Sequence, residues 1–177
     1  MKMVDRTLIQ TKSLSIGYDN PRQGKTVLHS NIDVKLDTGE FACLLGPNGS
    51  GKSTLLQTLC GFLSSIEGDV FIAGQPISKV SHRKMSELAS VVLTERVAVT
   101  NMTVFDLVSL GRTPYTGFFG RLKSRDKKLV YDSIQSVGLE GFEERLITNM
   151  SDGERQKAMI SKALVQETPL IMLDEPT

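Results

Sequence analysis

Only two cysteines occur among the 177 residues, Cys43 and Cys60, and they share no CxxC spacing. That excludes a disulfide framework and a thiolate metal site. Both thiols lie in apolar stretches, where free cysteine is ordinarily core, so both are expected buried, in a reducing compartment. Aromatic residues are scarce at 6%. Net charge is nearly absent, with 21 Lys plus Arg against 20 Asp plus Glu, so no global field points to nucleic acid or an anionic membrane as main partner. No run of about 18 apolar residues exists, and Met1–Ser13 has no apolar signal core. The chain is therefore expected to be cytosolic and to span nothing by itself. No internal repeat or low-complexity tract is present. What remains, at 40% apolar residues, is enough chain for one sizeable core and too little for two.

Short alternating stretches mark the beginning of the chain. Residues Thr7–Tyr18 and Thr26–Leu36, split by the turn-rich Asp19–Gly24, predict a β-rich start. Asp37-Thr38-Gly39 is a second turn, and Phe41–Leu45 is an unbroken apolar run suited to a strand buried on both faces. After a glycine-rich loop, Leu55, Leu56 and Leu59 predict a helix over Ser53–Phe62. Asp69–Ala73 and Gln75–Ile77 around Gly74 predict a strand and turn, and Val91–Leu93 a buried strand. From about 100 to 150 the apolar spacing becomes three and four, as in helices, through Val104, Leu107, Val108, Val130, Ile134 and Val137. Gly111–Gly120, with Pro114, Tyr115, Phe118 and Phe119, has loop chemistry. A further helix over Ser151 to about Gln166 and an apolar strand over Pro169–Leu173 complete an α/β pattern with parallel strands.

Two segments carry chemistry. Gly46-Pro47-Asn48-Gly49-Ser50-Gly51-Lys52-Ser53-Thr54 matches G-x-x-x-x-G-K-[ST] between an expected strand and a helix, the context that pattern requires. Its glycines let backbone N–H groups turn inward around phosphate oxygens, and the helix start adds partial positive charge. Lys52 is the point charge for β- and γ-phosphates, and the Ser53 hydroxyl suits Mg²⁺. A merely glycine-rich turn would not hold all these features in that context. The second segment, Leu170–Glu175, ends an apolar strand on two carboxylates. Asp174 is expected to hold Mg²⁺ through water and Glu175 to orient or deprotonate an attacking water. An Asp-Glu pair alone is ordinarily a solvated turn; the upstream phosphate loop is what gives it meaning.

With Met150-Ser151-Asp152-Gly153-Glu154-Arg155-Gln156 shortly before that strand, the chain resembles the ATP-binding cassette (ABC) ATPases over essentially its whole length. The resemblance implies a P-loop NTPase of the ABC type. Its mostly parallel sheet core would carry an N-terminal antiparallel β subdomain and an inserted α-helical subdomain. The divisions expected are 1–94 for the β-rich and P-loop core, about 95–165 for the helical subdomain with its signature, and 166–177 for the acidic strand. ATP and Mg²⁺ are the implied cofactors. Ser151 and Gly153 are implied to hold the γ-phosphate of ATP on a second copy in a head-to-tail homodimer, while Ser151 and Glu154 equally form an S-x-x-E capping box. The family usually has Ser-Gly-Gly-Gln there; Asp152 and Glu154 depart from it, and their acids are expected to point away from the phosphate. Tyr18 matches the aromatic that stacks on adenine in relatives, against plain packing as the alternative. Thr94, beside Glu95, stands where the family has a glutamine ligating Mg²⁺.

Leu110–Gly117 looks like the subgroup powering uptake of iron siderophores, haem or cobalamin. The implied partners are integral-membrane permease subunits and, indirectly, a periplasmic or extracellular binding protein, with the ATPase at the cytoplasmic face of the membrane. In that reading the aromatic loop contacts the permease; alternatively Tyr115, Phe118 and Phe119 only pin down a loop. The rivals are a non-hydrolysing nucleotide-binding fragment and a soluble ABC-type ATPase outside transport. The family's loop and histidine beyond the acidic strand are not matched: the histidines, His29 and His82, lie upstream and are expected to be surface or capping residues. With Thr177 following Asp174-Glu175-Pro176, the resemblance implies a truncated cassette with impaired or no steady turnover.

Overall fold

The computed structural model describes residues 6–22, 24–93, 101–117 and 119–174. They fall into two compact units, Met1–Leu88 and Ala89–Thr177. The first runs β1 (Thr7–Asn20), β2 (Gly24–Ile32), β3 (Lys35–Asp37), α1 (Lys52–Leu59), β4 (Glu67–Ile72), β5 (Gln75–Pro76) and α2 (His82–Leu88). Its sheet is antiparallel, in the order β2-β1-β4-β5, with β3 also on β1.

The long strand β1 serves both halves of this sheet because it contains a bulge. Between Lys12 and Ser15 two residues, Ser13 and Leu14, oppose the single Gly68 between Asp69 and Glu67 on β4, and Ser13 takes a positive φ of 46°. One extra residue breaks the alternation: before it Ile9 and Thr11 are buried, and after it Leu14, Ser15, Ile16 and Gly17 are buried in a row. Gly68 lies against the bulge: a Cβ there would meet the Ser13 carbonyl at 2.3 Å, and its own φ is +74°. Only glycine supplies both that conformation and that closeness.

Two expectations fail in this unit. Phe41–Leu45 is not a strand: residues 40–46 run in no ladder within the unit, and Phe41 and Leu45 are 90% and 88% exposed. Cys43 is exposed with them, whereas Cys60 is buried as expected, and burial pushes its thiol up to about 12. An apolar run makes a two-face-buried strand only when neighbours supply both its hydrogen bonds and its cover, and neither is encoded in the run itself. Conversely, α2 forms without a legible stripe. Met85 and Leu88 are its apolar residues, and its start is set by Ser81, whose hydroxyl accepts the Lys84 N–H at 3.2 Å.

The second unit contains β6 (Ala89–Val92), α3 (Val104–Ser109), α4 (Ser124–Ser136), α5 (Asp152–Leu164) and β7 (Leu170–Leu173). β6 and β7 pair in parallel from Ala89↔Leu170 to Val92↔Leu173, and the helices lie in the crossover between them. Thus the fold is α/β, with an antiparallel β subdomain and an inserted helical one. The helical core is built from the three-and-four spacing: Val104, Leu107 and Val108 of α3, Val130 and Ile134 of α4, and Ala158 of α5. Thr103 and Asp106 start α3 with a reciprocal capping box.

The stretch expected as a loop after α3 is partly a 3₁₀ segment, Leu110–Tyr115. Its ordering follows from Arg112, which is buried and bonds Asp126 Oδ1 at 3.1 Å, the Val165 carbonyl at 2.8 Å and Glu167 Oε2 at 2.9 Å. Gly111 permits this because a Cβ there would meet the Lys162 carbonyl at 2.3 Å.

Candidate functional site

The phosphate-loop residues turn sharply before α1. Gly49 and Gly51 have φ of +78° and +86°, the Ser50 N–H bonds the Pro47 carbonyl at 3.3 Å, and α1 begins at Lys52. The Lys52 ammonium lies over the loop, donating to the Gly46 carbonyl at 3.0 Å and the Pro47 carbonyl at 2.9 Å. Gly46 is packed on Ser50: a Cβ would come 2.9 Å from the Ser50 hydroxyl. Pro47, Asn48 and Gly49 are exposed, and Ser53 is half-buried in the first turn of α1. This is a ring of small residues with one mobile-length cation over it and a helix start at its end, a donor set that fits the phosphates of a nucleotide.

The β1–β2 hairpin braces the same loop. Tyr18, 51% exposed at the end of β1, shares a hydrogen bond of 3.0 Å between its hydroxyl and Thr54 Oγ1. Thr54 is buried, and its carbonyl accepts from the Thr58 hydroxyl, so its side chain is turned to Tyr18. From β2, His29 Nε2 lies 2.7 Å from the Ser50 carbonyl. His29 is exposed, in keeping with the surface or capping role expected of it, and it also touches the loop. Its 21-residue separation from Ser50 left no signal in the sequence.

The other predicted residues belong to the second unit. Ser151 caps α5, and the capping box forms in full: the Ser151 hydroxyl accepts from Glu154 N–H at 3.3 Å, while Glu154 Oε2 accepts from the Ser151 N–H at 2.7 Å and its hydroxyl at 2.8 Å. The Ser151 N–H and hydroxyl hold the Glu154 carboxyl below the usual carboxylate range. Asp152 turns aside to Arg155. Glu154 folds back on Ser151, as the S-x-x-E capping box predicts, because the unpaired donors at the helix start attract its carboxylate. Gly153 is open, with nothing within 4 Å of where a Cβ would stand.

Asp174 is buried at the end of β7, and its N–H continues the ladder to the Val92 carbonyl at 2.9 Å. Ser53 belongs to the first unit and Asp174 to the second. Thr94, with its neighbour Glu95, and Glu175 lie outside the described residues, as does Phe118. Among the described residues no group of three or more His, Cys, Asp or Glu could hold a metal ion.

Tyr115 is pinned, by the Arg112 guanidinium 4.2 Å from its ring centre and by its hydroxyl on the Gln166 carbonyl at 2.8 Å. Phe119 is 83% exposed. Among the described residues no helix is long and apolar enough to cross a membrane.

The family profile described as ABC transporter matches residues 29–177. An uncharacterized ABC transporter ATP-binding protein of Methanocaldococcus jannaschii is 45% identical over 170 residues, covering 96% of this chain and 57% of that protein. The iron(3+)-hydroxamate import ATP-binding protein of Bacillus subtilis is 35% identical, with 96% of this chain and 61% of its own length covered. The ferric enterobactin transport ATP-binding protein of Escherichia coli is 31% identical, with 96% and 60% covered. The chain thus spans about three fifths of the length of these relatives. Among solved structures, cbiO1 from Clostridium perfringens, part of the ABC transporter complex cbiONQ, has a TM-score of 0.79 at 26% identity, covering 97% of this chain and 66% of that one. A dimeric bacterial ABC transporter cassette has a TM-score of 0.83 at 23% identity, covering 96% and 75%, a likeness of fold alone.

Proposed function

This chain belongs to the ABC transporter family, and from that membership we propose that it binds Mg-ATP through Gly46–Thr54 and hydrolyses it to drive an importer. The importer's cargo is an iron siderophore, haem or cobalamin. The observation that carries the reading is the phosphate loop, with Gly49 and Gly51 in the left-handed region and the Lys52 ammonium over the turn at the start of α1. Backbone N–H groups of the loop and Lys52 bind the phosphates, and the half-exposed Tyr18 ring, anchored by Thr54, stacks on the base. Ser53, Asp174 and Thr94 would each offer an oxygen ligand suited to Mg²⁺, which when bound would neutralise charge on the transferred phosphoryl group. Glu175 orients or deprotonates the attacking water, a role worth on the order of 10²- to 10⁴-fold in rate.

A second copy completes this site. Ser151 and Gly153 at the start of α5 face the γ-phosphate bound to the partner, and the dimer works at the cytoplasmic face of the membrane against permease subunits that receive cargo from a binding protein. Similarity to the two siderophore-related import subunits supports the cargo class. The capped carboxylate of Glu154 opposes this arrangement by like charge. Glu154→Gln keeps the capping box, since glutamine serves at that position, and removes the charge. It is expected to strengthen ATP-dependent self-association at least about fivefold in sedimentation experiments at neutral pH. Unchanged association would remove the signature from the phosphate-facing surface.

Turnover tests the reading as a whole. Phosphate release from Mg-ATP by the purified chain, alone and with permease-containing membranes, is expected to vanish in Glu175→Gln. Binding without release under both conditions would leave a nucleotide-binding module. Undiminished siderophore, haem and cobalamin uptake after gene deletion would remove the importer assignment.

A further inference from the structure

We propose that His29 is a positioning residue for the phosphate loop, setting the orientation of the Ser50–Gly51 peptide by donating its Nε2–H to the Ser50 carbonyl. The inference deepens the nucleotide-binding reading and rests on it. His29 stands on β2 opposite Ile16, and register shifts lie on both sides of that pair. Such irregularities re-aim side chains. The imidazole is consequently directed at the loop, with Nε2 2.7 Å from the Ser50 carbonyl oxygen and Cδ2 3.2 Å from the place a Cβ on Gly51 would take. A carbonyl can only accept, so the proton is on Nε2, in neutral and protonated imidazole alike.

What this contact controls follows from peptide geometry. The unit is planar and trans, so its C=O and N–H point in opposite directions. Turning the Ser50 carbonyl out to β2 turns the Gly51 N–H to the loop side, where a phosphate oxygen is bound. Nothing intrinsic keeps the peptide in that sense. Gly51 sits at φ +86°, and glycine adopts positive and negative φ about equally, so the peptide can flip at little cost. Among the described residues the other bonds of Gly46–Lys52 go elsewhere: the Ser50 N–H to Pro47 fixes the preceding peptide, and Lys52 bonds the carbonyls of Gly46 and Pro47. His29 is thus a clamp from outside the loop on a peptide the loop leaves free to turn.

The test is equilibrium binding of Mg-ATP and of Mg-tripolyphosphate, which lacks base and sugar, to the 177-residue chain and its variants. His29→Ala is expected to weaken both ligands about three- to tenfold, the worth of one hydrogen bond. His29→Gln, whose amide N–H reaches nearly as far as Nε2, is expected to restore both, whereas the shorter His29→Asn is not. Melting temperatures without ligand should be alike for the Gln and Asn variants, which separates positioning from folding. The proposal is overturned if tripolyphosphate binding is unchanged while ATP binding falls, since His29 would then act on base or sugar. It is overturned equally if Gln and Asn behave alike. Failure of the wild-type chain to bind Mg-ATP would overturn the nucleotide-binding reading itself; normal wild-type binding with an unaffected Ala variant would overturn only the role of His29.

Discussion

Lys52→Ala is expected to weaken Mg-ATP binding by at least about 100-fold, the largest effect on ligand affinity of any single side chain in the loop. Two losses combine. The ammonium is the one side-chain cation of the segment Gly46–Thr54, so the phosphates lose a charge-assisted partner. The same group ties the Gly46 and Pro47 carbonyls together at 3.0 and 2.9 Å, so the loop also loses a brace over its mouth. Lys52→Arg should rescue little: the planar guanidinium cannot replace a compact ammonium between two nearby carbonyls. Calorimetric titration of wild type and variants, with circular dichroism as a control for folding, is the measurement. An alanine variant that binds within threefold of wild type would contradict the assignment of the loop to phosphate.

Arg112→Leu is expected to cost about 3–5 kcal/mol of stability in the second unit, the range observed when one member of a buried ion pair is removed. The substitution leaves the buried Asp126 carboxylate without its cation and the Val165 carbonyl without its donor, and it frees Tyr115 from the guanidinium. Arg112→Lys should recover only a minor part, because one ammonium cannot serve Asp126, Val165 and Glu167 at once. Burial raises the Asp126 carboxyl, but the Lys123 N–H and the bond and charge of Arg112 outweigh it and hold the group below its usual value of 3.8. A depressed folded-state value means that this contribution is present above the unfolded value and lost as pH falls through the folded one. Thermal melting from pH 7 downward should therefore show the wild type holding its stability to about pH 4 and losing it below. The leucine variant should already be low at pH 7. Equal melting temperatures at pH 7 would show that the buried pair contributes nothing.

The same residues show how far a sequence can be read. Gly46–Thr54 was legible because the constraint is local: a turn needing φ of +78° and +86° selects glycine, and the cation and hydroxyls follow within three residues. The capping box at α5 was legible for the same reason, Ser151 and Glu154 being three apart, and the Glu154 carboxylate closes it. Its departure from the family pattern was weighed against a phosphate, while the nearer attraction was the unpaired N–H groups of its own helix. In the helical crossover, Val104, Leu107 and Val108, and later Val130 and Ile134, announced both element and core face by spacing. Tyr115 was left between contact and anchor, and its bonds to Arg112 and Gln166 tie it to the fold while its ring, like Phe119, stays exposed.

The motif residues of Gly46–Thr54, Met150–Gln156 and Leu170–Glu175 were enough to point to the family, and glycine placement and apolar period to the phosphate loop, a β-rich start and a helical stretch. Each of these depends on interactions within one turn or one strand, where residue order and spatial proximity coincide. Folding alone settled that Arg112 is buried, that His29 reaches the loop, that Tyr18 is tied to Thr54, and that Phe41–Leu45 lies open rather than laddered. These outcomes depend on partners that are remote in sequence: Glu167 lies 55 residues from Arg112, Ser50 21 from His29, and Thr54 36 from Tyr18. Such a pairing is fixed by the path of the chain between the residues, and no local pattern at either end records it.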